Sequence, residues 1–303
     1  MFVTCFIWIQ SKWRPRFIFD WNVAAELSQY GIYLLGFSSL NYWLRNLDNL
    51  LVGKFLGAHQ LGVYGRAYQV MLLPITNVAA VIGKAMFPAL TQIQNDIPRF
   101  RRSYISATCA IAFVTFPLMI GIAVLSEPLI FVAFGSKWAE VIPILRVLSL
   151  VGLLQSVIHP VGWVFNALGE TKAQFKLGIL GALPFVIAIG IGIQFGVLGV
   201  AYGYAVWAIF DGWLSLHIAG KYIDMTISSF LLGIARISFM AAIMGIIVFC
   251  LDSTFFYVWS PPARLFTGIS VGVGSYFALS LLMKDETFAE LARLFFTFFR
   301  SAK

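Results

Sequence analysis

Long apolar segments, separated by short polar connections, run along nearly the whole chain. A membrane-spanning helix needs about 20 consecutive, mostly apolar residues. On that measure the pattern predicts eight spans: Gly31–Val52, Val63–Leu90, Ile105–Leu125, Ile142–Leu168, Leu177–Ile193, Val197–Ala219, Phe230–Leu251 and Leu265–Met283. The fifth and sixth come from one 34-residue stretch without charge, between Lys176 and Asp211. It is too long for a single crossing and is divided at Gln194–Gly199, where glycines punctuate the pattern. The first two spans are expected to be joined by a glycine-rich loop, Gly53–Gly62. The connection after the third span is expected to be wet, with a short apolar piece at Leu129–Phe134.

Polar residues inside the spans recur at helical spacing. Ser38, Asn41, Arg45 and Asp48 fall on one face of the first span, and Gln69, Asn77 and Lys84 on one face of the second. Gln155, His159, Trp163 and Asn166 do the same in the fourth span, as do Tyr204, Ala208, Asp211 and Ser215 in the sixth. A charge within the hydrocarbon layer costs a few kcal/mol or more, so it faces a bundle interior or a watery cavity. The polar stripes of the first two spans therefore predict the walls of a polar conduit. For Arg45 and Asp48 the competing reading is a structural pair that neutralises itself across one turn. His159, beside Pro160, reads equally as a cavity group or as a histidine bonded to a neighbouring helix. Asp211 reads as an ion relay or as a carboxyl bonded to a nearby tryptophan, tyrosine or serine.

Charge sets the topology. Lys12, Arg14 and Arg16, then Arg99, Arg101 and Arg102, then Lys172 and Lys176, then Lys221, and finally Lys284 with the tail lie in alternate connections. The intervening connections hold far fewer cations. The positive-inside rule puts the basic set, and with it the C-terminus, in the cytoplasm.

Composition changes the picture little. Of the 303 residues 60% are hydrophobic and 11% charged, with mean hydropathy +0.87. A soluble domain carries about a quarter charged residues. The net charge of +8 invites a nucleic-acid partner, but the cations sit between apolar segments and form no soluble basic face. Cys5, Cys109 and Cys250 are scattered and suggest neither a disulfide framework nor a metal motif. No serine elbow, histidine metal pair or phosphate loop is present, so no catalytic set, metal or cofactor is expected. Residues 286–303 read as an amphipathic tail with five phenylalanines between Phe288 and Phe299.

The stretch NLDNLLVGKFLGAHQLGVYGRAYQVMLLP, followed by MFPAL, resembles the Wzx-like polysaccharide and lipopolysaccharide flippases. These belong to the multidrug/oligosaccharidyl-lipid/polysaccharide (MOP) exporter superfamily. The matching positions are Asn46, Asp48, Gly53, Gly57, Leu61, Gly62, Tyr64, Ala67, Tyr68, Leu73, Pro74, Phe87 and Pro88. Gly135, Trp138, Pro143, Leu145, Arg146 and Ala167–Gly169 extend the likeness over about 140 residues.

The resemblance implies an all-α integral membrane protein that matches the second lobe of a MATE/MOP-type transporter plus two extra C-terminal helices. It also implies a six-helix lobe upstream of this chain. The division is then 1–25, the end of a truncated helix and a basic loop; 26–225, a six-helix lobe; 226–285, two additional helices; and 286–303, a cytoplasmic tail. The implied function is translocation of polyprenyl-diphosphate-linked oligosaccharide across the cytoplasmic membrane by alternating access, for surface polysaccharide synthesis. Arg45, Arg66 and Lys84 are then candidate cations for the diphosphate. Asn41, Asn77, Gln155, His159 and Trp163 are candidates for the sugars, with Tyr42 and Tyr68 as further stacking rings. Asp48 and Asp211 are candidate ion-coupling residues. Partners would be the lipid-linked oligosaccharide, membrane lipid and the polysaccharide polymerase and export machinery. The alternatives are a drug/cation antiporter of the same superfamily, which predicts an acid-rich cavity, and a membrane glycan polymerase or transferase, which predicts paired functional residues in an external loop.

Overall fold

A computed structural model of the chain describes Trp8, Ser11 and residues 20–283, the side chains of Glu26 and Ala80 aside. Its regular elements in residues 20–283 are helices: α1 (Trp21–Gln92), α2 (Ile97–Val124), α3 (Ser126–Ala133), a 3-10 turn (Ser136–Trp138), α4 (Val141–Ile158), α5 (Val161–Ala167), α6 (Thr171–Ile193), α7 (Gly196–Tyr222), α8 (Ile227–Leu251), a π turn (Asp252–Phe256) and α9 (Pro261–Leu282). In hydrocarbon every backbone N–H and C=O must be satisfied internally, and a helix does this within one segment. The basic N-terminal connection and the amphipathic tail of the sequence reading lie outside the described residues.

The first two expected spans form one element that folds back on itself. Asp48 Oδ2 accepts a hydrogen bond from Tyr64 Oη at 2.9 Å. Sixteen residues of continuous helix would hold them about 24 Å apart. The reversal occurs at Gly57, whose φ of 88° and ψ of 171° are non-helical. That backbone region is open in practice to glycine alone. The expected loop over residues 53–62 is therefore a single-residue hinge between two arms, 21–56 and 58–92. Gly53 stays helical and lets Leu61 of the returning arm approach, since a Cβ there would lie 3.1 Å from Leu61 Cδ2. Gly57→Val is expected to cost about 1–3 kcal/mol, read as a lowered unfolding temperature in detergent. The same change at Gly62, which has open space around it, is the comparison.

Six helices are long and apolar enough to cross a membrane: α2, α4 with α5, α6, α7, α8 with the π turn, and α9. α1 is a further candidate, which makes up to seven among the described residues where the sequence pattern predicts eight. The break between α6 and α7 falls at Gln194–Phe195, with Gly196 at φ 76°. Large side chains such as Leu183, Val206, Ile246 and Phe266 are exposed on the outside, the reverse of a water-facing surface.

α1, α4, α6 and α7 pack around one another, while α2 joins this group to α8. α9 lies outermost, against α8 and α3. Of the wet connection expected, Lys137 and Glu140 are exposed, but α3 with Glu127 is packed. Ser126, Pro128 and Ile130 are buried, and Arg146 Nε donates to Ser126 Oγ at 2.8 Å. Glu127 faces Arg264 on α9 at 3.4 Å. The short apolar run thus docks against α9 because the last two helices supply a surface that local sequence does not announce.

Candidate functional site

Five helices line a half-open cavity of about 430 Å³. The first arm of α1 contributes Asn41 and Arg45. α4, α5 and the link between them contribute Gln155, His159, Trp163 and Asn166. α6 contributes Gln174, Gly178 and Gly181, and α7 contributes Tyr204, Trp207, Asp211 and Ser215.

The wall from α4 to α5 carries a local interruption of the helical ladder at His159–Pro160. Proline offers no N–H to continue the ladder, and α4 ends at Ile158, with α5 starting at Val161 after His159–Pro160. His159 therefore sits at a break that lines the cavity. Trp163 is seated against the second arm of α1, where a Cβ on Gly83 would lie 2.9 Å from its Cζ2.

The wall from α6 and α7 is held by an aromatic network. Trp207 Nε1 donates to the Gly181 carbonyl at 2.9 Å. Gln155 Nε2 donates to Tyr204 Oη, which also meets Tyr68 Oη at 3.4 Å. Phe185 packs edge-on against Trp207 at 4.9 Å. Asp211 lies against bare backbone: a Cβ on Gly181 would be 2.7 Å from its Oδ1. Two amide oxygens near this wall, Asn166 Oδ1 and Gln174 Oε1, are buried with no hydrogen-bond partner among the described residues. Buried acceptors are nearly always paired, so these two favour an occupant rich in O–H or N–H groups.

Of the residues singled out from the sequence, Asn41, Arg45, Gln155, His159, Trp163 and Asp211 line this cavity. Asp48, Arg66, Asn77 and Lys84 do not. Asp48 is 1% exposed and is held by Tyr64 and by the Asn49 N–H at 2.8 Å. Among the described residues no ion pair joins it to Arg45. The first polar stripe therefore splits, with Asn41 and Arg45 on the cavity and Asp48 inside the hairpin. Arg66 lies over the rings of Phe134 and Trp138. Asn77 and Lys84 are exposed, and Asn77 Nδ2 donates to its own helix at the Leu73 carbonyl, 2.8 Å. The physical reason is the hairpin. Its arms meet through Val52, Val63, Tyr64 and Tyr68, which turns the polar face of the second arm away from the cavity. Of the rings considered for sugar stacking, Tyr42 is exposed and Tyr68 is buried beneath Tyr204.

Gln174 and Trp207 carry the site yet were not singled out. Gln174 sits between Lys172 and Lys176 and reads as part of a basic connection, whereas α6 begins at Thr171 and buries it. The signal was a neutral polar residue one helical turn into a span.

A helical lobe with a half-open cavity, lined by polar and aromatic side chains, and an apolar exterior defines a multi-pass, all-α membrane protein. The model of a polysaccharide biosynthesis protein family matches residues 1–143. The teichuronic acid biosynthesis protein TuaB of Bacillus subtilis is 30% identical over 94% of this chain and 59% of its own length. The lipopolysaccharide biosynthesis protein WzxC of Escherichia coli is 32% identical over 69% of this chain and 43% of its own. Among solved structures the lipid II flippase MurJ, in an inward closed conformation, shares the fold with a TM-score of 0.63 at 23% identity, over 78% of this chain and 50% of that one. Over most of its length the chain is similar to teichuronic acid and lipopolysaccharide biosynthesis proteins, and its first half matches a polysaccharide biosynthesis protein family. It spans about half the length of the curated relatives it matches.

Proposed function

We propose that this chain supplies the second lobe of a flippase that moves polyprenyl-diphosphate-linked oligosaccharide across the cytoplasmic membrane by alternating access, for surface polysaccharide synthesis. The observation that carries this reading is the mixed chemistry of one cavity. Arg45 offers a cation to an anionic diphosphate, and guanidinium binds phosphate oxygens in a bidentate fork. Trp163 offers a ring face to a sugar. Gln155, Asn166 and Gln174 offer amides to sugar hydroxyls. A catalytic set is not needed for any of these steps. In parallel-repeat transporters the substrate site lies between two lobes that rock about it, and residues 26–225 fit one such lobe, with α8 and α9 added at its edge. Asp211 is the ion-coupling candidate that lines the cavity; Asp48, packed inside the hairpin, would act through the fold. The basic connections favour a cytoplasmic C-terminus. Polymerase and export proteins are further partners on this reading.

The test is export in a strain lacking its own polysaccharide flippase. The chain is expressed alone and fused behind the first lobe of a related flippase. Surface polysaccharide is expected to return with the fused form. Arg45→Ala in that form is expected to reduce it at least tenfold, with membrane insertion unchanged. Full export with Arg45→Ala, or no export from a well-inserted fusion, would overturn the assignment of this cavity.

A further inference from the structure

Arg66 leaves the cavity and enters a second depression that the transport reading does not use. It sits about two and a half turns beyond the Gly57 hinge, about 13 Å along the second arm. Its guanidinium carbon lies 5.3 Å from the ring centre of Phe134 and 5.2 Å from that of Trp138. Gln69 Oε1 accepts from Nη1 at 3.4 Å. Among the described residues no ion pair involves Arg66. Glu140, the acid nearest to Trp138 in the chain, is taken by His59 at 3.1 Å. The cation is therefore half-buried, oriented by two aromatic rings, and lacks an anion.

The space beside it is a groove of about 460 Å³ on the outer face of the second arm. Arg66, Gln69, Val70, Leu73 and Thr76 line it at helical spacing, with Phe134 as the opposite rim. Arg66 and Gln69 stand at one end, and the remaining length, from Val70 through Leu72 and Leu73 to Thr76, is mostly apolar over about 9 Å. Pro74 lies along this stretch and lacks the N–H that would bond the Val70 carbonyl. Tryptophan sits preferentially at the headgroup level of a bilayer, and arginine binds phosphate well.

We propose that this groove is a binding site for an anionic phospholipid, with the headgroup phosphate on Arg66 and Gln69 and an acyl chain along Val70 and Leu73. The occupant follows from the combination of an unneutralised cation at interfacial depth with an apolar channel leading away from it. Inorganic phosphate would satisfy the cation but not the channel. A zwitterionic phospholipid would fill the channel but bring its own cation to Arg66. The bound lipid would clamp the second arm of the hairpin to the segment that carries Phe134 and Trp138.

The experiment is native mass spectrometry of the chain in detergent, titrated with phosphatidylglycerol, phosphatidylcholine of the same acyl chains, or inorganic phosphate. Phosphatidylglycerol adducts are expected to exceed phosphatidylcholine adducts, and to fall as salt rises. Arg66→Gln is expected to weaken phosphatidylglycerol binding about tenfold, while Arg66→Lys, which keeps the charge, retains part of it. Arg236→Gln, exposed on α8 and outside both cavities, is expected to leave it unchanged. Equal adducts for the two lipids, a wild-type level in Arg66→Gln, or displacement by millimolar inorganic phosphate would each overturn the proposal. The salt series on unaltered protein keeps the test decisive should Arg66→Gln fold poorly, since adducts indifferent to salt would overturn it as well. None of these outcomes bears on export through the Arg45 cavity.

Discussion

Gly203→Val is expected to split the α6–α7 wall of the cavity and, on the proposed function, to abolish export by the fused form. α6 and α7 touch through backbone. A Cβ on Gly203 would lie 2.4 Å from the Ala188 carbonyl oxygen. A Cβ on Gly199 would lie 2.3 Å from the Gly192 oxygen, and one on Gly192 would lie 2.6 Å from the Gly199 oxygen. Helices in membranes associate largely through such close small-residue contacts, because lipid is as apolar as leucine. Backbone cannot rotate aside as a side chain can, so the two helices must separate. Overpacking a well-fitted contact costs about 1–3 kcal/mol, occasionally more, and this contact recurs over three glycines. The consequence reaches the site directly, because Gln174 and Gly181 on α6 face Tyr204, Trp207 and Asp211 on α7. The unfolding temperature in detergent and export of surface polysaccharide should fall together. Gly190→Val is the matched control, since nothing lies within 4 Å of a Cβ there. Equal unfolding temperatures for the two variants would show that the backbone contact does not hold the wall.

Arg264→Met is expected to be the most destabilising single change at the edge of the lobe. Arg264 Nε and Nη2 donate to the two oxygens of Asp252 at 3.0 and 2.7 Å. The side chains of Arg264 and Asp252 are only 9% and 11% exposed. Glu127 on α3 approaches the same guanidinium at 3.4 Å. The cluster ties α9 to the π turn that follows α8 and to α3. Removing one partner of a buried pair leaves a charge without compensation and costs about 3–5 kcal/mol. Replacing both with apolar residues of similar volume is often neutral. Arg264→Met alone should therefore lower the unfolding temperature sharply, and Arg264→Met with Asp252→Leu should recover most of it. A single variant as stable as the unaltered chain would mean that the pair is solvated in the membrane-embedded protein.

How much of this was legible beforehand can be followed residue by residue. The spans could be read because hydrocarbon imposes a length and a composition on any segment that crosses it. The break between α6 and α7 could be read because glycine interrupts a run too long for one crossing. The cavity stripe Gln155–His159–Trp163–Asn166 could be read because residues three or four apart share a helix face. The wet connection expected around Leu129–Phe134 could not be read correctly, because its partner surface is α9, more than a hundred residues later in the chain.

What the sequence determined by itself was therefore local: helix or not, spanning or not, and which residues stand together on one face. The tertiary structure alone decided where each face points. Helical period ties Asp48 to Arg45 along the first arm, yet the reversal at Gly57 brings Tyr64 to Asp48 and leaves Arg45 to the cavity. The same period aligns polar residues along the second arm, yet the hairpin core turns Arg66 outward to Phe134 and Trp138. Periodicity is a property of one helix. The rotation of that helix about its axis is settled by the neighbours it packs against, and those neighbours are distant in the chain.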